Sequence, residues 1–259
     1  MDWAVLQTLH YSLRYAGHTA GEQRLTLEPR RDGLRVVLEA NVELPLPKTR
    51  QRWESELDRQ GLPRRYRERV EGNGARVMEV EFSREEGLVT VSQGRDDFAM
   101  PYLAEMHDPL SLILAVGALN IEVGQVEKFA LVGGRAYVER LPDQTIEVEV
   151  EGQKKAQSVR VYRLRPGLSL LYFDQEGYPV RLTQKVGEHV FEADLVQVQR
   201  LEAGQRLQPL ERSQEANPRN SSRPRVVSGE PPKARVVSGE PPKEQNGASR
   251  RRRRRRRYS

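Results

Sequence analysis

Residues 108–119 read DPLSLILAVGAL, and this segment decides the fold. Asp108 can accept hydrogen bonds from the first free backbone amides of a helix, and Pro109 fits the first helical position, where its missing N–H costs nothing. From Leu110 to Leu119 there is no charged residue, so no face of the helix suits water. A helix of about a dozen residues is also too short to cross a bilayer, which needs ~20 apolar residues. The segment therefore predicts a central helix over 108–119 that the rest of the chain must bury.

The sequence on both sides of this helix alternates between apolar and polar residues. Before the helix, Leu9, Tyr11, Leu13 and Tyr15 share one face of a predicted strand. Turns rich in glycine, proline and aspartate recur at intervals of roughly ten residues. Strands with this spacing pair as an antiparallel sheet with one face on the core and the other in water. We therefore predict a mainly β fold, in which an antiparallel domain over residues 1–202 surrounds the central helix.

One turn motif occurs twice. DRQGLP at residues 58–63 is repeated as DQEGYP at residues 174–179, each time between two strand-like segments. In such a turn the aspartate side chain accepts local hydrogen bonds, the glycine adopts a left-handed conformation and the proline begins an edge or bulged strand. We interpret both copies as hairpin turns that have no catalytic or binding function. The predicted structural residues are thus Asp108, Pro109, Gly61, Pro63, Gly177 and Pro179.

The net charge of +6 is divided unevenly along the chain. Residues 211–259 carry fifteen Arg and Lys against five Glu, a net +10, whereas the remainder carries 28 basic against 32 acidic residues, a net −4. From residue 203 the alternation stops, and Pro, Ser, Asn and Gln predominate, so this part cannot bury enough apolar surface to fold. Within it RVVSGEPPK occurs at 225–233 and again at 235–243. We predict a disordered linker over 203–249 and a basic tail over 250–259.

Eight consecutive arginines begin the basic tail. Guanidinium groups stay charged and fork onto phosphate oxygens. We therefore predict that the tail binds nucleic acid, as RNA, ribosome or DNA, without reading its sequence. An anionic membrane, a protein partner and no dedicated role are the alternatives. The tail residues are Arg250, Arg251, Arg252, Arg253, Arg254, Arg255, Arg256 and Arg257.

A second basic row alternates along a predicted strand at Arg65, Arg67 and Arg69. A charged row on the outer side of a strand usually serves solubility and protects an edge from aggregation. Its functional interpretation is a secondary basic face that contacts a polyanion, or a row that pairs with an acidic strand opposite.

Few residues suggest catalysis or metal binding. The chain has no cysteine, which excludes disulfides and thiolate sites. Its four histidines, His10, His18, His107 and His189, show no metal-ligand spacing, and we interpret them as surface or turn residues. His107 with nearby acids is the candidate for an enzyme, whereas Ser111 lacks a nucleophile motif and is interpreted as filler within the helix. We therefore predict a protein that is not an enzyme and binds no metal and no cofactor.

Four segments of the chain together resemble the bacterial family called domain of unknown function 3108. They are YAGHTAGE at 15–22, the turn at 58–65, HDPLSL at 107–112 and the turn at 174–181. The resemblance covers roughly residues 9–200. It implies a strongly curved antiparallel sheet, a half-barrel or clam, wrapped around the helix and similar to lipoprotein-carrier folds. It implies no established activity and no catalytic residue.

Two functions follow from these features. The first is a non-enzymatic binding or scaffold protein that its arginine tail tethers to nucleic acid. The alternative is an envelope-associated carrier that holds an apolar ligand or lipid in the concave sheet. The N-terminal residues show no secretory signal and the chain no transmembrane segment, so we expect a cytoplasmic protein, or a periplasmic one if the true start carries a signal.

Overall fold

The computed structural model describes residues 5–45, 47–72, 74–103, 105–150, 152–167, 169–186 and 189–200. The predicted linker over 203–249 and the tail over 250–259 lie outside the described residues, and both remain predictions. The described residues form fifteen strands and one helix, α1, which spans Pro109–Ala118. The strands are β1 Gln7–Tyr15, β2 His18–Arg30, β3 Gly33–Val42, β4 Thr49–Asp58, β5 Pro63–Gly72, β6 Arg76–Ser83, β7 Leu88–Gln93, β8 Asp96–Pro101, β9 Met106–His107, β10 Val126–Leu131, β11 Gly134–Val150, β12 Gln153–Arg165, β13 Ser169–Phe173, β14 Pro179–Val186 and β15 His189–Arg200.

All fifteen strands belong to one sheet, in the order β8-β7-β6-β5-β4-β3-β2-β1-β15-β14-β13-β12-β11-β10-β9. Neighbours pair antiparallel, except that the two-residue strand β9 pairs parallel with β10. Apart from β9, the sheet consists of two runs of consecutive hairpins, β1 to β8 and β10 to β15, which the pairing of β1 with β15 joins in the middle. The predicted mainly β, antiparallel fold is confirmed.

The sheet is strongly curved, and the connectivity explains why. Strands β8 and β9 lie at opposite edges, yet only the segment between Pro101 and Met106 connects them. Five residues span at most roughly 18 Å, whereas a flat sheet of this many strands would be about 65 Å wide. The two edges must therefore curl toward each other. Among the described strands no ladder joins β8 to β9 or β10, so the sheet stays open.

Strand faces alternate with a period of two residues. In β1, Leu9, Tyr11 and Leu13 are buried, whereas Arg14 is exposed. Alternate side chains of a strand point to opposite faces of the sheet, so the apolar set lies on the inner face. This inner face forms the wall of the core that surrounds α1.

Helix α1 joins two apolar clusters. Leu110 and Leu114 pack in the larger cluster, which also contains inner residues of β1 to β7. Leu112 and Val116 pack in a second cluster with Tyr162 and Phe173 among its members. Residues four apart lie on the same face of a helix, so opposite faces of α1 serve the two clusters. This explains why the helix is apolar all round.

The N-terminus of α1 is closed by a capping box. Asp108 Oδ1 accepts hydrogen bonds from the amides of Leu110 at 2.7 Å and Ser111 at 2.9 Å. In return, Ser111 Oγ accepts a hydrogen bond from the Asp108 amide at 2.9 Å. Such reciprocal bonds satisfy amides that have no partner within the helix. The interpretation of Ser111 as filler was therefore wrong, because its hydroxyl is half of the cap.

The C-terminus of α1 is held by two side chains of β12. Arg160 donates hydrogen bonds to the carbonyls of Gly117 at 3.1 Å and Leu119 at 3.2 Å. The Tyr162 hydroxyl also donates to the Leu119 carbonyl, at 2.9 Å. A cation at this end of a helix satisfies free carbonyls and opposes the negative end of the helix dipole. The C-terminal end of α1 is thus fixed to the sheet.

The two copies of the turn motif have the same hydrogen bonds. Asp58 Oδ1 accepts from the amides of residues 60 and 62, and Asp174 Oδ1 accepts from those of residues 176 and 178. Gly61 and Gly177 adopt positive φ angles of 80° and 86°. The strand pairing shifts register where each following proline begins its strand. The repeated sequence therefore forms one local structure twice.

Candidate functional site

A groove lies between α1 and two neighbouring hairpin turns of the sheet. These are the β2–β3 turn and the β4–β5 turn, and the groove has a volume of about 430 Å³. Ligand pockets in proteins typically measure roughly 300–1,000 Å³. We call this feature the helix groove, and its apolar lining comprises Leu34, Leu57, Leu114, Ala115 and Ala118.

The apolar lining is continuous from the sheet to the helix. Leu34 and Leu57 are direct neighbours across strands β3 and β4, and Leu114 faces them from α1 within the same core cluster. Ala115 is half-buried and Ala118 is exposed. These small side chains on the last helical turns leave the space that forms the groove.

The mouth of the helix groove is basic. Three arginines line it, Arg30 and Arg31 from the β2–β3 hairpin and Arg59 from the β4–β5 turn. We call Arg31 and Arg59 the arginine rim. Arg59 Nη2 donates a hydrogen bond to the carbonyl of Arg31 at 3.2 Å, which ties one turn to the other. The Arg30 guanidinium is not part of this rim, because it pairs with Glu28 at 2.7 Å on the face of β2 opposite to the buried Leu25 and Leu27.

Asp58 lies beside the rim, and Arg84 compensates its charge. The carboxylate of Asp58 is 2.6 Å from the Arg84 guanidinium. Burial acts to raise the pKa of Asp58, but hydrogen bonds from the Leu62 amide and from Arg84 outweigh it and hold the pKa below its ordinary value. Asp58 is thus an ionised residue with its own partner, and the rim keeps its positive charge.

His107 forms part of the groove wall, and its side chain is buried. The residue is only 6% exposed, its Nδ1 lies 3.3 Å from Ser111 Oγ, and its ring contacts Phe129 edge to face. Burial lowers the pKa of His107, against an opposing effect of Glu105, so the imidazole is neutral at neutral pH. The interpretation of this histidine as a surface or turn residue was wrong, because β9 carries it into the core.

The other histidines are separate from His107. His10 is half-buried on β1, His18 is exposed, and the side chain of His189 lies outside the described part of the chain. Across the described ranges, no three His, Asp or Glu side chains are grouped to hold a metal ion.

A buried polar cluster surrounds the N-terminus of α1. Asp108 is fully buried, and its Oδ2 accepts a hydrogen bond from Ser55 Oγ at 2.5 Å. Burial raises the pKa of Asp108 to about 6, although hydrogen bonds from Ser55 and from the helix amides oppose the shift. Nearby, the buried Glu68 pairs with Arg76 and lies 3.3 Å from the Tyr66 hydroxyl. Both Asp108 oxygens already accept hydrogen bonds from the protein. We therefore assign this residue a structural role.

The predicted basic row lies on the outer face of β5. Arg67 contacts Glu79 at 2.9 Å, and Arg65 contacts Glu81 at 2.5 Å, both glutamates being on β6. Arg69 pairs with Glu71 at 2.9 Å on its own strand. These contacts correspond to the second interpretation, a row that pairs with an acidic strand. Contact of the row with a polyanion remains a prediction, as does the role of the tail arginines.

A second cavity, of about 460 Å³, lies between the β11–β12 hairpin and strands β14 and β15. Its lining is largely charged and includes Glu147, Glu149 and the ion pair of Arg181 with Asp194. Because polar surface predominates in this cavity, whereas apolar surface predominates in the helix groove, we take the helix groove as the candidate functional site.

The arginine rim was not predicted from the sequence. A signal was present, since alternate hairpins of an antiparallel run turn at the same end of the sheet. The turns after β2 and β4 therefore had to lie side by side, and both contain arginine at residues 31 and 59. What the sequence could not show was that α1 ends beside these two turns.

Comparison with known proteins identifies the family of this chain. The family described as "Protein of unknown function (DUF3108)" matches residues 10–198. The chain belongs to this family. Among solved structures, a beta-barrel-like protein of domain of unknown function DUF1849 from Brucella abortus is 13% identical, with a TM-score of 0.44, over 76% of this chain and 98% of that one. No curated protein matches the chain. Within the described ranges, no helix of this DUF3108 protein is long and apolar enough to cross a membrane.

Proposed function

We propose that the folded domain is a non-catalytic binding protein that holds an apolar ligand in the helix groove. The observation that carries this proposal is the continuous apolar lining of Leu34, Leu57 and Leu114 beside an open volume of about 430 Å³. Burial of apolar ligand surface contributes roughly 25 cal/mol per Å². An uncharged wall of this kind can therefore supply most of the affinity for an apolar chain.

The groove is held open by contacts that do not require a ligand. Asp108 fixes the start of α1, Arg160 and Tyr162 fix its end, and the Arg59 hydrogen bond joins the two turns opposite. A site that is formed in advance loses less conformational entropy on binding. This rigidity favours a carrier or binding role.

The proposal is tested with an uncharged fluorescent probe, N-phenyl-1-naphthylamine. We expect the probe to bind with an increase in fluorescence, and we expect Ala115→Trp to reduce its affinity at least about tenfold, because the indole fills the groove. Ala118→Trp is a second filling variant, at an exposed position. Ala99→Trp adds the same side chain to the exposed strand β8 and serves as the control. Equal affinity in the three variants would contradict binding in the groove.

For the C-terminal tail we propose, from the sequence alone, binding of nucleic acid without sequence specificity. The eight arginines from residue 250 to residue 257 support this proposal. If all eight contact single-stranded RNA, the logarithm of the binding constant falls with the logarithm of salt concentration at a slope of about −6. Replacement of the eight arginines by serine in the full chain should abolish this binding. A serine variant that binds as tightly as the original chain would refute the proposal.

A further inference from the structure

We infer that the ligand of the helix groove is a single-chain amphiphile whose headgroup is a carboxylate, and that the arginine rim binds this headgroup. The inference rests on the function proposed above, because it names the ligand class of the same groove. It is carried by an observation of its own, the placement of Arg31 and Arg59, from two adjacent turns, in the lining beside this apolar wall.

The charges at the mouth are not fully compensated. Arg30 pairs with Glu28, and Asp58 pairs with Arg84. Across the described residues, no carboxylate forms an ion pair with Arg31 or Arg59. Asp32, next to Arg31 in the same turn, offsets one of these two charges. The mouth therefore has an excess of about one positive charge, which a ligand with one negative charge would balance.

The guanidinium of Arg59 is already oriented. Its hydrogen bond to the Arg31 carbonyl uses one Nη2 donor and holds the side chain across the gap between the two turns. Arginine has five N–H donors in a planar fork, so several donors remain for a ligand. Two parallel N–H donors match the two oxygens of a carboxylate. An oriented arginine at the mouth thus favours a planar anionic headgroup.

The order of charge and apolar surface matches that of an amphiphile. In the chain, Arg31 precedes Leu34 by three residues, and Arg59 follows Leu57 by two. The two arginines and the apolar wall are therefore parts of the same two hairpins. The wall continues to Ala115 on α1. The volume of about 430 Å³ is near the lower end of the usual range for ligand sites. We therefore assign the groove to one acyl chain rather than to a lipid with two.

The test compares dodecanoate with 1-dodecanol as competitors of N-phenyl-1-naphthylamine at pH 7.5, below the concentrations at which either aggregates. The two molecules have the same chain and differ in headgroup charge. We expect dodecanoate to displace the probe from the full chain at a concentration about tenfold lower than dodecanol, the ratio that one charge-assisted contact provides.

Arginine variants assign this preference to the rim. We expect R31Q and R59Q each to reduce the ratio between the two competitors, and the double variant to bring it close to one. The side chain of Arg31 has no hydrogen bond or ion pair to the described residues, so R31Q tests the headgroup without disturbing the turn contact that R59Q removes. R95Q, in an exposed turn outside the groove lining, is the matched control and should keep the full ratio.

The outcomes separate the proposal of an apolar ligand in the helix groove from the inference about its headgroup. Equal displacement by both competitors, or a preference that the double variant retains, overturns the inference about the headgroup. In that case, loss of probe binding in Ala115→Trp still supports an apolar ligand in the groove. A probe that does not bind, or that binds equally to Ala115→Trp and Ala99→Trp, overturns both the apolar ligand in the groove and the carboxylate headgroup.

Discussion

The Ser55 hydroxyl donates a hydrogen bond of 2.5 Å to the Asp108 carboxylate, and this contact fixes the start of α1 to strand β4, 53 residues earlier in the chain. Both side chains are fully buried. The same carboxylate caps the helix through two amides. A single buried acid therefore determines both where the helix begins and where it sits on the sheet.

This arrangement predicts a stability that depends on Asp108 and on pH. Burial raises the pKa of Asp108 from the ordinary 3.8 to about 6 in the folded protein. The folded state therefore binds more protons than the unfolded state between these values, and the contribution of Asp108 to the free energy of unfolding falls as pH rises through that window.

The asparagine side chain of the D108N variant does not titrate. The free energy of unfolding of the original chain, relative to D108N, should fall by about 2 kcal/mol from pH 4 to pH 7. Urea denaturation at both pH values measures this, and a constant difference would contradict it.

Asp58 should change the stability of the protein with pH in the opposite direction to Asp108. Its folded pKa lies below the ordinary 3.8 because hydrogen bonds from the Leu62 amide and from Arg84 outweigh the effect of burial. Its contribution to stability is therefore present above pH 3.8 and is lost as pH falls below that value. The stability of the original chain relative to D58N should decrease on acidification, in the same urea experiment. A difference that increases on acidification would show that Arg84 does not compensate this carboxylate.

Removal of the Ser55 hydroxyl should destabilise the protein. In Ser55→Ala the Oδ2 atom of Asp108 loses its donor while it remains buried, which costs about 1–3 kcal/mol. Because the Ser55 hydrogen bond lowers the pKa of Asp108, its loss should also move the pH window of Asp108 to higher values. Ser92→Ala, at an exposed position of β7, is the control and should change the free energy of unfolding by less than about 0.5 kcal/mol. Similar values for the two alanine variants would argue against the Ser55 contact.

The sequence predicted the fold better than the site, for physical reasons. Alternation of apolar and polar residues, as in Leu9 to Leu13, depends only on the geometry of one strand, and the uncharged segment after Asp108 indicated a buried helix by itself. The helix groove depends instead on which turns converge on α1. Arg59 and Arg31 meet because of strand order, and His107 is buried because the chain crosses from β8, at one edge of the sheet, to β9 beside β10 at the other edge. Such contacts cannot be inferred from local patterns.

A tight contact at the end of α1 predicts the effect of Gly117→Ala. A Cβ atom at Gly117 would lie 2.9 Å from Cε1 of Phe173 and 3.2 Å from the carbonyl of Gly177. Alanine in a helix is favoured over glycine by about 1 kcal/mol, but overpacking costs about 1–3 kcal/mol. The clash should therefore outweigh the helix preference and lower the free energy of unfolding. Gly134→Ala, where a Cβ meets no atom within 4 Å, should be nearly neutral.

A double-mutant cycle tests whether Phe173 is the cause. In Gly117→Ala/Phe173→Leu the ring that meets the new methyl group is gone, so the two substitutions together should cost less than the sum of their separate costs. Urea denaturation of the four proteins gives the interaction energy. Additive costs would mean that the methyl group is accommodated without contact with Phe173.

The left-handed conformation of Gly61 predicts how its substitution affects stability. The residue has a φ of 80°, which costs a residue with a Cβ about 1–2 kcal/mol. Asparagine tolerates this conformation better than alanine does, so Gly61→Asn should be less destabilising than Gly61→Ala. A Cβ at this position would meet no atom within 4 Å, so the backbone conformation alone should set the cost of both substitutions. Urea denaturation measures the two free energies of unfolding. Equal values for Gly61→Asn and Gly61→Ala would contradict strain at this φ angle as the cause.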